Sequence, residues 1–110
     1  MNKNVEKLLD EIEEKLKNLF GKNLSCIILY GSYAREDNDN ESDIDIIALV
    51  EESNLKAYND QIVEFEIELT IKYGIMPSIL LENKNYFLER RDMEFLFQNV
   101  EKEGKTIYAA

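Results

Sequence analysis

Apolar residues at Val5, Leu8, Leu9, Ile12, Leu16, Leu19 and Phe20 recur three or four positions apart, with charged residues between them. That spacing predicts an amphipathic helix over residues 3–20, ended by Gly21. Leu24–Tyr30 is a short apolar run of strand character, and Ile44 with Ile46–Val50 forms a second. Leu55, Tyr58, Ile62, Phe65, Leu69 and Tyr73 mark a further helix, stopped by Gly74. Ile75–Leu81 reads as a third strand, which Pro77 assigns to a sheet edge or an irregularity. Phe87, Leu88, Phe95, Leu96 and Val100 predict a last helix over residues 86–103, with Gly104 as its stop. The apolar character of Tyr58, Tyr73, Phe95 and Phe97 on such helical faces reads as core packing. Helices alternating with strands predict an α+β fold, a small mixed sheet flanked by helices and covered mostly on one face.

Composition narrows the picture. A chain of 110 residues is the size of one domain, so residues 1–110 are expected to form a single unit. Thirteen basic against twenty-three acidic residues leave a net charge of −10. Such a surface repels phosphate backbones and anionic membranes, which argues against direct nucleic-acid or membrane binding and favours a basic protein partner. The chain has no histidine, which removes imidazole catalysis and histidine metal ligands, and its single Cys26 excludes an internal disulfide. Cys26 lies in an apolar run and reads as a packed thiol. No apolar stretch approaches the roughly twenty residues of a membrane span. The first twenty residues lack a signal-peptide core, so a cytoplasmic protein is expected. Self-association stays open at this stage.

The chemistry concentrates in residues 31–45. Gly31 lets the backbone turn sharply after a strand and come close to an anion. Ser32 adds a hydroxyl and, at the start of a short helix, free amide groups suited to phosphate. Arg35 offers a positive fork, either to phosphate or to the acidic loop that follows. That loop is solvated by composition, with six acids among residues 36–45. Asp43 and Asp45 flank Ile44, and alternate residues of a strand share a face. Two like charges so placed call for a cation, and oxygen ligands suit magnesium or manganese. Counting from Asp37 or Asp39, Ser42 or Ile44 stands where a calcium loop needs glycine, and Ala48 or Val50 where it needs glutamate. A phosphate cradle beside a two-carboxylate metal seat points to nucleotidyl transfer from a nucleoside triphosphate.

The phrase Leu29-Tyr30-Gly31-Ser32-Tyr33-Ala34-Arg35, then Ser42-Asp43-Ile44-Asp45, resembles the DNA polymerase β-type nucleotidyltransferase superfamily. The chain looks most like the minimal nucleotidyltransferases of prokaryotes, and Phe97–Tyr108 is similar to the ending of many members. The resemblance implies that Gly31 and Ser32 contact the triphosphate of ATP while Asp43 and Asp45 hold the metal. Many minimal members are antitoxins of HEPN-domain ribonuclease toxins, and some transfer AMP to a toxin tyrosine. A third carboxylate usual in active members has no counterpart in the middle of the third strand. Ser78 stands where it is expected, with Glu82 at the strand end as a substitute. Glu66 and Glu68, on the preceding helix, read as solvated. Three functions follow: adenylyl transfer to a protein hydroxyl, neutralisation of a partner by binding alone, and transfer to a small molecule. The last needs an acceptor pocket for which the chain has little room.

Overall fold

The computed structural model describes residues 2–110. Helix α1 (Lys3–Phe20) opens on Asn2, whose side chain accepts the Val5 N–H at 2.8 Å. This cap satisfies one of the amides that a helix start leaves without a partner. The predicted apolar stripe is the buried one: Val5, Leu8, Leu9, Ile12, Leu16 and Phe20 all leave solvent, and Leu19 at its margin is partly buried.

Strand β1 (Leu24–Tyr30) leads through Gly31 into a one-turn helix, α2 (Ser32–Arg35), and the acidic loop returns the chain to strand β2 (Ile44–Val50). A 3₁₀ turn (Leu55–Tyr58) then precedes helix α3 (Asn59–Tyr73) and strand β3 (Pro77–Asn83). Helices α4 (Lys84–Arg90) and α5 (Phe95–Glu103) and strand β4 (Lys105–Ala109) complete the fold.

The sheet is mixed, in the order β3-β2-β1-β4, with β2 and β3 parallel and the other two pairings antiparallel. Pro77 opens the edge strand β3, as its missing N–H requires. Alternation along β2 divides the core. Ile44, Ile46, Ala48 and Val50 pack with α1 and α3, whereas Ile47 and Leu49 meet Phe87, Phe97 and Val100 of α4 and α5.

Five expectations are corrected here. Both sheet faces are covered, because the C-terminal segment folds as two helices across the second face. The predicted single helix over 86–103 is broken by a turn at 91–94, where the apolar pattern lapses into Arg91-Asp92 and Glu94. Strand β4 was not expected; it pairs with β1 at the edge away from β3. Gly104 permits that return, since a Cβ there would lie 2.2 Å from the Val100 carbonyl oxygen and 2.6 Å from Ile28 Cγ2. Fourth, β3 runs two residues later than the apolar pattern indicates, because Glu82 and Asn83 continue the ladder to Leu49 and Val50. Last, Phe95 is 82% exposed rather than packed, whereas Phe97 on the same helix is buried against Phe87.

Candidate active site

The end of β1 and the start of β2 bring the two halves of the sequence motif together. Tyr30 and Asp45 are direct cross-strand partners, so the turn after Tyr30 lies beside the Asp45 side chain. Gly31 sits at φ 76°, ψ −157°, a region that is essentially glycine's alone. A Cβ on Gly31 would lie 2.3 Å from Asp45 Oδ2, so the carboxylate rests against the bare α-carbon. Ser32 then starts α2, whose opening amides have no intrahelical acceptor. Tyr33 and Ala34 anchor this turn in the core.

Asp45 is half-buried, and its neighbours in sequence, Ile44 and Ile46, are fully buried on the opposite face. Burial, and then the negative charge of Asp43, push its carboxyl above the usual carboxylate value, while Arg35 acts in the opposite direction. Asp43 immediately precedes β2 and is exposed. The pair therefore presents one sheltered and one solvated carboxylate on the same rim.

Arg35 is exposed and already engaged. Its Nε donates to Asp37 at 3.0 Å and its Nη1 to Glu103 at 2.9 Å. Of the two roles open to it in the sequence, the contact with the acidic loop is present. The Glu103 contact ties the end of α5 to α2 and had no signal in the sequence, since the two residues are 68 positions apart.

Register decides the third-carboxylate question. Ser78 of β3 stands directly beside Asp45 of β2 and is exposed. Glu82 shares that face of β3 but pairs with Leu49, four residues beyond Asp45. At roughly 3.3 Å per residue it lies about 13 Å along the strand, outside any common coordination sphere. Burial raises its carboxyl instead. Among the described residues, no three carboxylate, cysteine or histidine side chains come together as a metal cluster. Glu66, expected to be solvated, accepts the Ile79 N–H at 2.8 Å and so closes part of the exposed edge of β3.

The donor set is thus two carboxylates with a backbone cradle at their side. Burial first, and then the Asp43 carboxylate, disfavour the charged form of Asp45, and a hard divalent cation held by oxygen ligands would offset both. Asp43 and Asp45 fit that requirement for one ion.

Residues 11–110 match the family described as polymerase beta, nucleotidyltransferase. The chain belongs to that family. Two proteins of Methanocaldococcus jannaschii, each named as a candidate protein adenylyltransferase, are similar to it. One is 33% identical over 96% of this chain and 99% of its own length, the other 31% identical over 70% and 78%. Among solved structures, a chain of a toxin–antitoxin complex crystallised with AMP-PNP superposes with TM-score 0.59 at 21% identity, covering 97% of this chain and 72% of that one. A chain of the complex between tri-AMPylated Shewanella oneidensis HEPN toxin and its MNT antitoxin gives TM-score 0.59 at 20% identity, covering 96% and 72%. At these identities the likeness is one of fold, and it takes in nearly all of this chain and about 72% of each neighbour. No helix among the described residues is long and apolar enough to cross a membrane.

Proposed function

We propose that this chain is an adenylyltransferase antitoxin that moves AMP from ATP onto a tyrosine hydroxyl of a HEPN-family toxin. The observation that carries the reading is the contact of the Asp45 carboxylate with the Gly31 α-carbon, which joins the phosphate-binding turn to the paired acids. The relatives named for protein adenylylation and the fold shared with toxin–antitoxin complexes support the class of acceptor.

In this reading Gly31 gives the triphosphate close access to the backbone, and the amides opening α2 with the Ser32 hydroxyl hold phosphate oxygens. Asp43 and Asp45 hold magnesium or manganese, which would neutralise phosphate charge and stabilise the departing pyrophosphate. The acceptor oxygen bonds to the α-phosphorus as the bond to the β-phosphate oxygen breaks, and pyrophosphate leaves. Ser78 cannot take the hydroxyl proton as a carboxylate would, so the proton passes to water. The chain contributes positioning and electrostatics more than base catalysis.

The test is incubation of the chain with α-labelled ATP, magnesium and a HEPN-family protein that it binds. Label is expected on a tyrosine of that protein and absent with Asp43→Asn/Asp45→Asn. A stable complex that never acquires label would sink the transfer reading. The exposed Ser78 beside Asp45 favours one second reading, neutralisation by occlusion. It requires the doubly substituted chain to neutralise the toxin as well as the parent does.

A further inference from the structure

One helix face belongs to neither core. On α3, Val63, Ile67 and Ile71 follow at four-residue spacing and are 50%, 54% and 80% exposed. They lie on the side away from Ile62, Phe65 and Leu69, which pack on the sheet. Met76, 53% exposed, extends the stripe past the end of the helix. Between the stripe and the start of β3 runs a groove of about 230 Å³ lined by Val63, Glu66, Ile67, Thr70, Met76 and Pro77. Scattered exposed apolar residues need no explanation, but a continuous row beside a groove does.

Two features identify the occupant. The first is charge. Asp60, Glu64 and Glu68 follow the stripe along one flank at helical spacing, all three exposed, and Lys72, the one lysine within α3, pairs with Glu11 at 3.0 Å. A second copy would set one −10 chain against another and lay like-charged flanks together. The exposed Met93 and Phe95 at the turn between α4 and α5 do not answer that flank either, because Arg90 beside them lies over the Tyr86 ring and Arg91 pairs with Glu101. The second is position. The Met76 carbonyl accepts the N–H of Ile44, between Asp43 and Asp45, and Ser78 stands beside Asp45. The stripe therefore ends at the rim of the candidate active site.

We infer that the α3 stripe and its groove are the docking surface for the protein acceptor, which meets it with apolar side chains flanked by lysine or arginine. This rests on the proposed function and adds where the acceptor is held: on the β3 side of the site, along α3. Apolar burial supplies affinity, the acidic flank supplies selectivity, and docking brings the acceptor hydroxyl to the pocket from the Ser78 side.

The test uses the full isotope-labelled chain without nucleotide and three helical peptides of about five turns. One carries an apolar stripe with basic flanks, one the same stripe with acidic flanks, and one basic residues with no stripe. The first should bind about tenfold or more tighter than either control, with amide shifts centred on residues 63–76. Ile67→Ser/Ile71→Ser should weaken it about tenfold while leaving the thermal midpoint unchanged, since both residues are exposed. Glu64→Lys/Glu68→Lys should transfer the preference to the acid-flanked peptide. Equal affinities, or shifts centred elsewhere, overturn the inference. Self-association in sedimentation that the Ile67→Ser/Ile71→Ser pair abolishes would assign the stripe to a second copy and overturn it too. Because binding is read without ATP, a failure of AMP transfer with docking intact would fell the proposed activity and leave this surface standing.

Discussion

Gly31 is the residue on which the site's geometry turns, because two independent constraints meet there. Its backbone conformation excludes side chains, and the space a Cβ would need is filled by Asp45 Oδ2. Gly31→Ala should cost about 1–3 kcal/mol of stability in chemical denaturation, and the displaced carboxylate should lower Mg-ATP affinity as well. Asp45 itself trades stability for binding. Its carboxyl is held above the ordinary value of 3.8 by burial and by Asp43, so the folded chain takes up this proton more readily than the unfolded one. The contribution of Asp45 to stability therefore falls as pH rises from the ordinary carboxylate value through the raised one. Asp45→Asn should melt higher than the parent at neutral pH, and the gap should close toward about pH 3, where the parent's carboxyl is protonated. Adding Mg-ATP should reverse the order. A ligand at a hundred times its Kd stabilises the folded parent by about 2.7 kcal/mol and the variant hardly at all. Ser78 offers the complementary gain. Ser78→Asp places a carboxylate beside Asp45 at an exposed position, and in single-turnover assays AMP transfer should accelerate by about tenfold or more, toward the scale of positioned base catalysis.

At the scale of elements, the edge strand β3 is the most informative. Its first residue, Pro77, needs no ladder partner, and Glu66 reaches from α3 to accept the Ile79 N–H. Removing that acceptor with Glu66→Ala leaves a sheet-edge amide unpaired, at a cost of about 1–2 kcal/mol. Hydrogen exchange at Ile79 should quicken well before exchange along β1, which has a strand on both sides. Much of this architecture was legible beforehand. The stripe of α1 follows the apolar spacing with Leu19 alone left partly buried, Gly21 and Gly74 mark helix ends, and Pro77 marks an edge strand, because each carries a backbone constraint that local sequence reveals. The motif halves could be placed on β1 and β2 because a two-residue period tells which side chains share a face. What escaped was set by distant contacts. Nothing local indicates that α5 lies close enough to β1 to require Gly104, that Arg35 pairs with Glu103, or that Lys105–Ala109 returns to the sheet. The missing third carboxylate is signalled only by the family resemblance, and only the β2–β3 register decides between Ser78 and Glu82.

For the whole molecule, charge sets how a partner is met. Most of the net charge of −10 lies in the loop between α2 and β2, with five acids and no base, and in α3, with four acids and one lysine, while Arg35, whose charge acts on Asp45, is tied to Asp37 and Glu103. An incoming basic surface is therefore attracted from a distance, whereas free ATP is repelled until a divalent cation accompanies it. Long-range attraction acts on encounter and apolar contact on residence, so salt should separate them. At about 0.1 M ionic strength charges are felt over about 10 Å, and at about 1 M over only 3 Å. Across that range the association rate with a basic-flanked acceptor should fall about tenfold or more, while the dissociation rate, governed by the stripe at Val63, Ile67 and Ile71, changes little. Stopped-flow mixing at several salt concentrations reads both rates. Dissociation that quickens with salt as steeply as association slows would mean that ion pairs, and not the apolar row on α3, hold the complex together.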